Sequence, residues 1–154
     1  IVISYLTTVY NMEKNVLSTG LLADERPEVI YDLKNGQGSF MYNHNIKEVS
    51  VIKDKMGGIT VTTDGDDRAN AKMFQYDCVR VEYPRTADNI FNSLLTAKYP
   101  ANTESKLVNE YQSAVLGLLG EEYKKPYEDF LKDRIAIRTM VDADAETYNI
   151  PEDL

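Results

Sequence analysis

The chain has 154 residues, of which 43% are hydrophobic, and its formal net charge is −8 with a pI of about 4.7. This acidity argues against nucleic acid and against an anionic membrane surface as partners, because both need a positive protein surface. The single cysteine excludes an internal disulfide and suits a reducing, cytoplasmic compartment. We therefore expect one soluble domain, over residues 1–154, that builds its core without a cofactor.

The first segment, IVISYLTTVY, is apolar but much shorter than the roughly 20 residues that span a bilayer. It also lacks the basic region and cleavage site of a signal peptide, and the absence of an initial methionine leaves processing upstream of Ile1 open. Residues 2–19 fit an amphipathic helix, with Gly20 placed to end it. The β-branched residues among the first ten keep a strand as the alternative.

Residues 28–83 alternate between strand-like segments and tight turns. The turns NGQG and KMGG each separate two strand-like segments, because glycine supplies the positive φ angles of hairpin turns. The second hairpin is expected over residues 46–63, turning at Gly57–Gly58. A long fifth strand follows, and the change in its apolar face predicts a bulge near Asp77. The region is expected to form a five-stranded antiparallel meander.

Residues 86–146 are typical of three helices. Their apolar positions recur every three or four residues, and capping residues precede each run. We expect the C-terminal end of the chain to fray from Asn149 onward. The expected boundaries are Thr86 to Pro100 for the first helix, Asn102 or Thr103 to Gly120 for the second, and a start near Pro126 for the third. The predicted fold is α+β, with an N-terminal helix, the meander, and three C-terminal helices packed on one sheet face.

Three aspartates stand within four positions in TVTTDGDDRANAK, which raises the question of a metal site at Asp64–Asp67. A calcium loop starting at Asp64 needs glycine at its sixth position and glutamate at its twelfth. Ala69 and Gln75 stand there instead. Aspartate, glycine and asparagine between strands are typical of a turn, so we expect a turn and no metal.

His44 and Cys78 are the remaining candidates for nucleophilic or acid–base catalysis. His44 lies between two predicted strands with no nucleophile at a recognisable spacing, so we expect a polar loop residue. Cys78 lies inside a predicted strand beside Asp77, which disfavours a thiolate. We predict that it is a buried, unreactive thiol, and we assign no catalytic residue.

Arg134 and Arg138 project into the apolar arc of the third predicted helix, and Glu13 projects into that of the first. Charges on apolar faces need partners, because the desolvation of an unpaired ion is costly. A bridge from Glu13 to one of the arginines is the simplest expectation. Arginines at the core edge, or a pocket that binds carboxylate or phosphate, are the alternatives.

The stretch KYPANTESKLVNEYQSAVLGLLGEEYKKPYEDFLKDR, residues 98–134, resembles uncharacterised proteins encoded by bacterial phages and prophages. The resemblance covers about a quarter of the chain and includes no catalytic motif. It implies an assembly or accessory role and carries over no functional residue.

These observations favour a non-enzymatic protein–protein interaction or assembly module that binds a protein partner or a second copy of itself. Eleven tyrosines, a residue type enriched at interfaces, add to this interpretation. The first alternative is a small-molecule or anion-binding domain that uses Arg134 and Arg138. The second is an enzyme with a divalent metal held by the aspartate loop or by a set on the last helix, namely Asp142, Asp144 and Glu146.

Overall fold

The structure is a computed structural model that describes residues 13–154. The described residues divide into two compact units, a first unit up to residue 80 and a second unit from residue 81 to residue 154. The α+β class is confirmed, because residues 13–154 form a five-stranded antiparallel sheet followed by three helices. The strands are β1 (Leu17–Ala23), β2 (Ile30–Asp32), β3 (Phe40–Lys53), β4 (Ile59–Val61) and β5 (Ala71–Val81). The helices are α1 (Ala87–Lys98), α2 (Thr103–Val115) and α3 (Lys125–Thr147), and a short 3-10 turn (Glu121–Tyr123) precedes α3.

The strands do not form the predicted meander. Their order is β1-β5-β3-β2, with β4 also paired to β3, so β5 lies between β1 and β3. Two segments predicted as separate strands form the single strand β3, which pairs with β2 in its first part and with β4 in its last. The meander was wrong because hairpin signals identify neighbours in sequence and do not identify the partner of β5.

The predicted helix over residues 2–19 is wrong where the structure describes it. Leu17 and Ser18 belong to β1, which pairs antiparallel with β5, and residues 1–12 lie outside the described range. Gly20 has the positive φ expected of it, +67°, but it uses this angle in a β-bulge and not at a helix end. The bulge predicted in the fifth strand near Asp77 lies instead in β1, opposite Asp77, since Ser18 pairs with Cys78 and Leu21 with Tyr76.

Both predicted hairpins are confirmed. The pairs Ile30–Tyr42 and Asp32–Phe40 join β2 to β3, and Val51–Val61 and Lys53–Ile59 join β3 to β4. In the second turn Gly57 has φ +89°, and the Asp54 carboxylate accepts the N–H groups of Met56 and Gly58. A cluster beside these strands forms part of the core and consists of Leu33, Met41, Tyr76 and Cys78.

The helices of the second unit begin close to where the sequence predicts. Thr86 caps α1, since its hydroxyl accepts the Asn89 N–H at 3.2 Å. The tail predicted to fray is hydrogen-bonded instead, because the first N–H groups of α1 donate to its carbonyls. Ala87 donates to Pro151 at 2.8 Å and Asp88 donates to Glu152 at 3.0 Å.

The second helix ends a turn earlier than predicted. It stops at Val115, and Gly117 takes φ +74° just beyond the helix, where the prediction had placed the end at Gly120. The N–H of Leu118 donates to Ser113 and the N–H of Gly117 donates to Ala114, which together make a Schellman motif. α3 packs against both α1 and α2 through buried side chains, which are Phe130, Ile137, Val141 and Ala145.

Candidate functional site

Arg138, the first candidate residue, is held by three carboxylates of the second unit. Its guanidinium lies 2.6 Å from Asp88, 2.9 Å from Asp142 and 3.6 Å from Glu152. Hydrogen bonds from the guanidinium to Asp88 and then Asp142 raise the pKa of Arg138 above its ordinary value. An anion at this position would compete with three built-in carboxylates, so the geometry disfavours an anion-binding role for Arg138.

Arg134, the second candidate, lies on the same helix beside an aromatic ring. The Cζ atoms of Arg134 and Arg138 are 5.2 Å and 5.4 Å from the centroid of Phe91 on α1. Two cation–π contacts to one ring explain how two arginines fit into the apolar arc of α3. The sequence therefore placed both arginines on the correct face, and the aromatic partner was not foreseen.

Glu13, the third candidate, precedes β1, is exposed and belongs to no helix. The reason for expecting it to pair was its projection onto an apolar helix face, and that face is absent from the described part of the predicted helix. The carboxylates that pair with Arg138 come instead from α1, from α3 and from the C-terminal tail. A bridge from Glu13 to either arginine loses its basis.

A depression of about 260 Å³ lies beside Arg138 in the second unit. Its charged lining consists of Arg138, Asp142, Glu146 and Glu152, so acidic groups outnumber the one basic group. Asp144 lies on a different side of α3 from Asp142, because residues two positions apart on an α-helix are separated by about 200° around its axis. Among residues 13–154, no group of three or more histidine, cysteine or acidic side chains is placed to hold a metal ion.

The aspartate loop is a pair of turns, as the sequence predicts. Gly65 has φ +83°, and the N–H of Ala69 donates to the carbonyl of Asp66 at 3.1 Å. The Asp66 carboxylate accepts hydrogen bonds from the side chain and the backbone of Arg68, and these lower its pKa to about 2. The Asp66 carboxylate therefore pairs with Arg68 of the same loop.

His44 and Cys78 are both buried inside strands. The expectation that His44 is a loop residue is wrong, because β3 is continuous and the imidazole stacks on Tyr42 with ring centroids 5.0 Å apart. Cys78 matches its prediction, since only 1% of its surface is exposed and burial raises its pKa to about 12. A thiol with that pKa is protonated at neutral pH and is a poor nucleophile.

The sequence analysis missed an exposed apolar segment that begins at the last residue of α2. We call residues 115–119 the α2–α3 tip. Its apolar side chains are exposed by 57% at Val115, 74% at Leu116, 74% at Leu118 and 38% at Leu119. The predicted helix end at Gly120 had placed residues 116–119 inside the second helix. Gly117 is the signal that was available, because a glycine among helix formers is a common helix end.

Comparison with known proteins gives no match to a family model, to a curated protein or to a solved structure. No helix within residues 13–154 combines the length and apolar character that a membrane crossing requires.

Proposed function

We propose that this chain is a non-enzymatic protein–protein interaction or assembly module, of phage or prophage origin, that docks through the α2–α3 tip. The observation that supports the proposal is the exposure of four large apolar side chains within five consecutive residues. Isolated apolar side chains on a surface are ordinary, whereas a contiguous group is typical of an interaction site.

The tip is a fixed shape and not a loose loop. Its Schellman hydrogen bonds, from Leu118 to Ser113 at 2.9 Å and from Gly117 to Ala114 at 3.0 Å, set the path of the backbone. This motif normally places the apolar residue after the glycine against an apolar residue of the last helical turn. Here that helical residue is Ser113, so Leu118 remains 74% exposed. A preformed apolar surface loses little conformational entropy on docking.

A second copy of the chain is the partner that the local charges favour. The chain as a whole carries −8, which makes copies repel one another. The charged residues of segment 115–125 are two glutamates and two lysines, which sum to zero, and they are Glu121, Glu122, Lys124 and Lys125. Lys124 pairs with Glu121 at 2.8 Å within the same copy, so two tips can meet without local repulsion.

Concentration-dependent amide spectra by NMR test this proposal at residue resolution. On concentrating the protein, the amide signals of residues 115–123 should shift together and return on dilution. The double variant Leu116→Ser, Leu118→Ser should weaken this association by about tenfold or more, since buried leucines contribute more than 1 kcal/mol each. Ile135→Ser is the matched control, because Ile135 on α3 is 65% exposed and lies outside the tip. Tip signals that stay unchanged at every concentration would overturn the proposal.

The two alternatives have weaker support. An anion that binds at Arg138 would have to displace the carboxylates of Asp88 and Asp142, which already pair with the guanidinium. For the metal-dependent enzyme, no group of three or more histidine, cysteine or acidic side chains within residues 13–154 is placed to hold the ion. Phosphate titration followed by the same spectra separates the first alternative from the proposal, because bound phosphate would shift the signals of α3 and leave the tip signals in place.

A further inference from the structure

The outer edge of the hairpin β3–β4 is exposed, and its strand β4 is short. All three residues of β4 are exposed, and the side chains of Ile59 and Val61 are 43% and 40% exposed. The segment MGGITVTT, residues 56–63, contains no charge and no proline, and five consecutive residues of it are β-branched. Edge strands normally carry lysine, proline or a bulge that prevents pairing with another chain. This edge has the opposite composition, high in β propensity and low in charge.

The hydrogen bonds of the hairpin show which backbone groups are directed outward. Gly58 accepts the N–H of Asp54 at 2.9 Å, and Thr62 donates to Ser50 at 2.9 Å. Because backbone groups alternate in direction along a strand, positions 58, 60 and 62 face β3. The N–H and C=O groups of Ile59 and Val61 therefore point away from β3, toward the outer edge.

We infer that β4 pairs edge to edge with β4 of a second copy of this chain, antiparallel and centred on Thr60. In this register Ile59 of each copy lies opposite Val61 of the other, and each such pair exchanges two backbone hydrogen bonds. Two β-branched side chains then meet across the strands on each side of the centre, a favourable cross-strand combination. The surface lies in the first unit and uses backbone pairing, so it is independent of the tip proposed above.

The charges that flank the edge agree with this register. Lys55 precedes the uncharged segment and Asp64 follows it. Lys55 lies in the turn that precedes β4, so antiparallel pairing centred on Thr60 brings the turn of one copy to the same end of the paired strands as Asp64 of the other. Opposite charges at both ends favour the antiparallel arrangement over a parallel one, which would bring like charges together. A second copy is therefore a better fit than an arbitrary extended peptide.

Disulfide formation tests the register directly. Thr60→Cys places two cysteines opposite each other in a non-hydrogen-bonded pair, where Cα atoms are about 4.5 Å apart, within the range for a disulfide. Met56→Cys is the matched control, since Met56 is 97% exposed on the same hairpin. In the proposed register the two turns that carry position 56 lie at opposite ends of the paired strands, so these two positions do not meet. We expect Thr60→Cys to cross-link about tenfold or more faster than Met56→Cys, because pairing raises the local concentration. Equal rates would overturn the inference.

A charge swap provides a second test that needs no new bond. In Ile59→Lys, Val61→Lys each introduced lysine faces another lysine, so pairing should be lost. In Ile59→Lys, Val61→Glu the introduced lysine faces the introduced glutamate of the other copy, so pairing should be retained. Concentration-dependent amide shifts of residues 58–62 report the pairing in both variants. If both variants lose those shifts, or if both keep them, the proposed register is wrong.

The two proposals fail independently. The tip variant Leu116→Ser, Leu118→Ser should leave the cross-linking of Thr60→Cys unchanged, because the leucines lie in the other unit. The lysine pair at positions 59 and 61 should in turn leave the shifts of residues 115–123 unchanged. Cross-linking that depends on the tip leucines would show that the edge does not pair by itself and would overturn this inference.

Discussion

The Asp77 carboxylate accepts the N–H of Gly20 at 3.0 Å, across 57 positions of sequence. Its second oxygen accepts the side-chain N–H of Asn45 at 2.8 Å. Gly20 and Asn45 both have positive φ angles, +67° and +50°. One carboxylate on the central strand β5 thus bonds to two irregular positions, one on each neighbouring strand. The bulge that Gly20 makes in β1 is stabilised from β5.

Removing this carboxylate should destabilise the first unit. We expect Asp77→Ala to lower the free energy of unfolding by about 1–2 kcal/mol, because two charge-assisted hydrogen bonds are lost near the surface. Asp77→Asn should lose less, since its amide oxygen can still accept one of the two. Gly20→Ala should cost about 1 kcal/mol for its left-handed backbone. Urea unfolding measures all three, and a cost of zero for Asp77→Ala would contradict this account.

The ion pair between Arg68 and Asp66 in the aspartate loop predicts a low pKa for Asp66. Hydrogen bonds from Arg68 lower the pKa of Asp66 from 3.8 to about 2. A depressed carboxyl pKa stabilises the folded state above about pH 4, and this contribution is lost as the pH falls through 2. Carboxyl-carbon NMR should show Asp66 titrating near 2 and moving toward 3.8 in Arg68→Gln. Arg26→Gln removes an exposed arginine elsewhere in the same unit and should leave the pKa of Asp66 in place.

An aromatic–carboxylate contact makes a similar prediction at alkaline pH. The Tyr99 hydroxyl donates to Asp133 at 2.5 Å, and burial together with that hydrogen bond raises the pKa of Tyr99 from 10.0 to about 12. A raised phenol pKa stabilises the fold below about pH 10, and this contribution is lost as the pH rises through 12. Tyr99→Phe should cost about 1 kcal/mol at neutral pH.

The titration of Tyr99 is isolated by its difference from a variant that lacks the hydroxyl. In a pH titration followed by tyrosinate absorbance, the wild type should show a transition near pH 12 that Tyr99→Phe lacks. Tyr148→Phe, at an exposed position, serves as the control for general loss of one tyrosine. If the difference between Tyr99→Phe and the wild type appears near pH 10, the hydroxyl is not held as described.

Arg138 should contribute more to the stability of the second unit than Arg134. Arg138 bridges Asp88 of α1 and Asp142 of α3, whereas Arg134 contributes mainly its contact with Phe91. We expect Arg138→Met to cost about 1–2 kcal/mol and Arg134→Met below about 1 kcal/mol, since both arginines keep contact with water. A double-mutant cycle of Asp88→Asn with Arg138→Met should give a coupling of about 1 kcal/mol. Zero coupling would mean that the 2.6 Å contact does not persist in solution.

The sequence by itself determined the features that depend on near neighbours. Gly57 identified the second hairpin, because a tight turn needs a positive φ there. Thr86 identified the start of α1 through a side-chain cap that reaches only three residues. The position of Cys78 inside a predicted strand, beside Asp77, was enough to predict a buried and unreactive thiol.

Tertiary structure decided the features whose partners are distant in sequence. The position of Gly20 suits a positive φ, but only the pairing of β1 with β5 shows that this residue lies in a β-bulge, where its N–H donates to Asp77. His44 is polar and flanked by asparagines, and the pairing partners of β3 determine that it is buried. The partners of Arg138 include Asp88, 50 positions away, which no helical projection identifies. Local patterns specify the backbone angles of a few residues, whereas the choice between competing long-range partners depends on the packing of the whole unit.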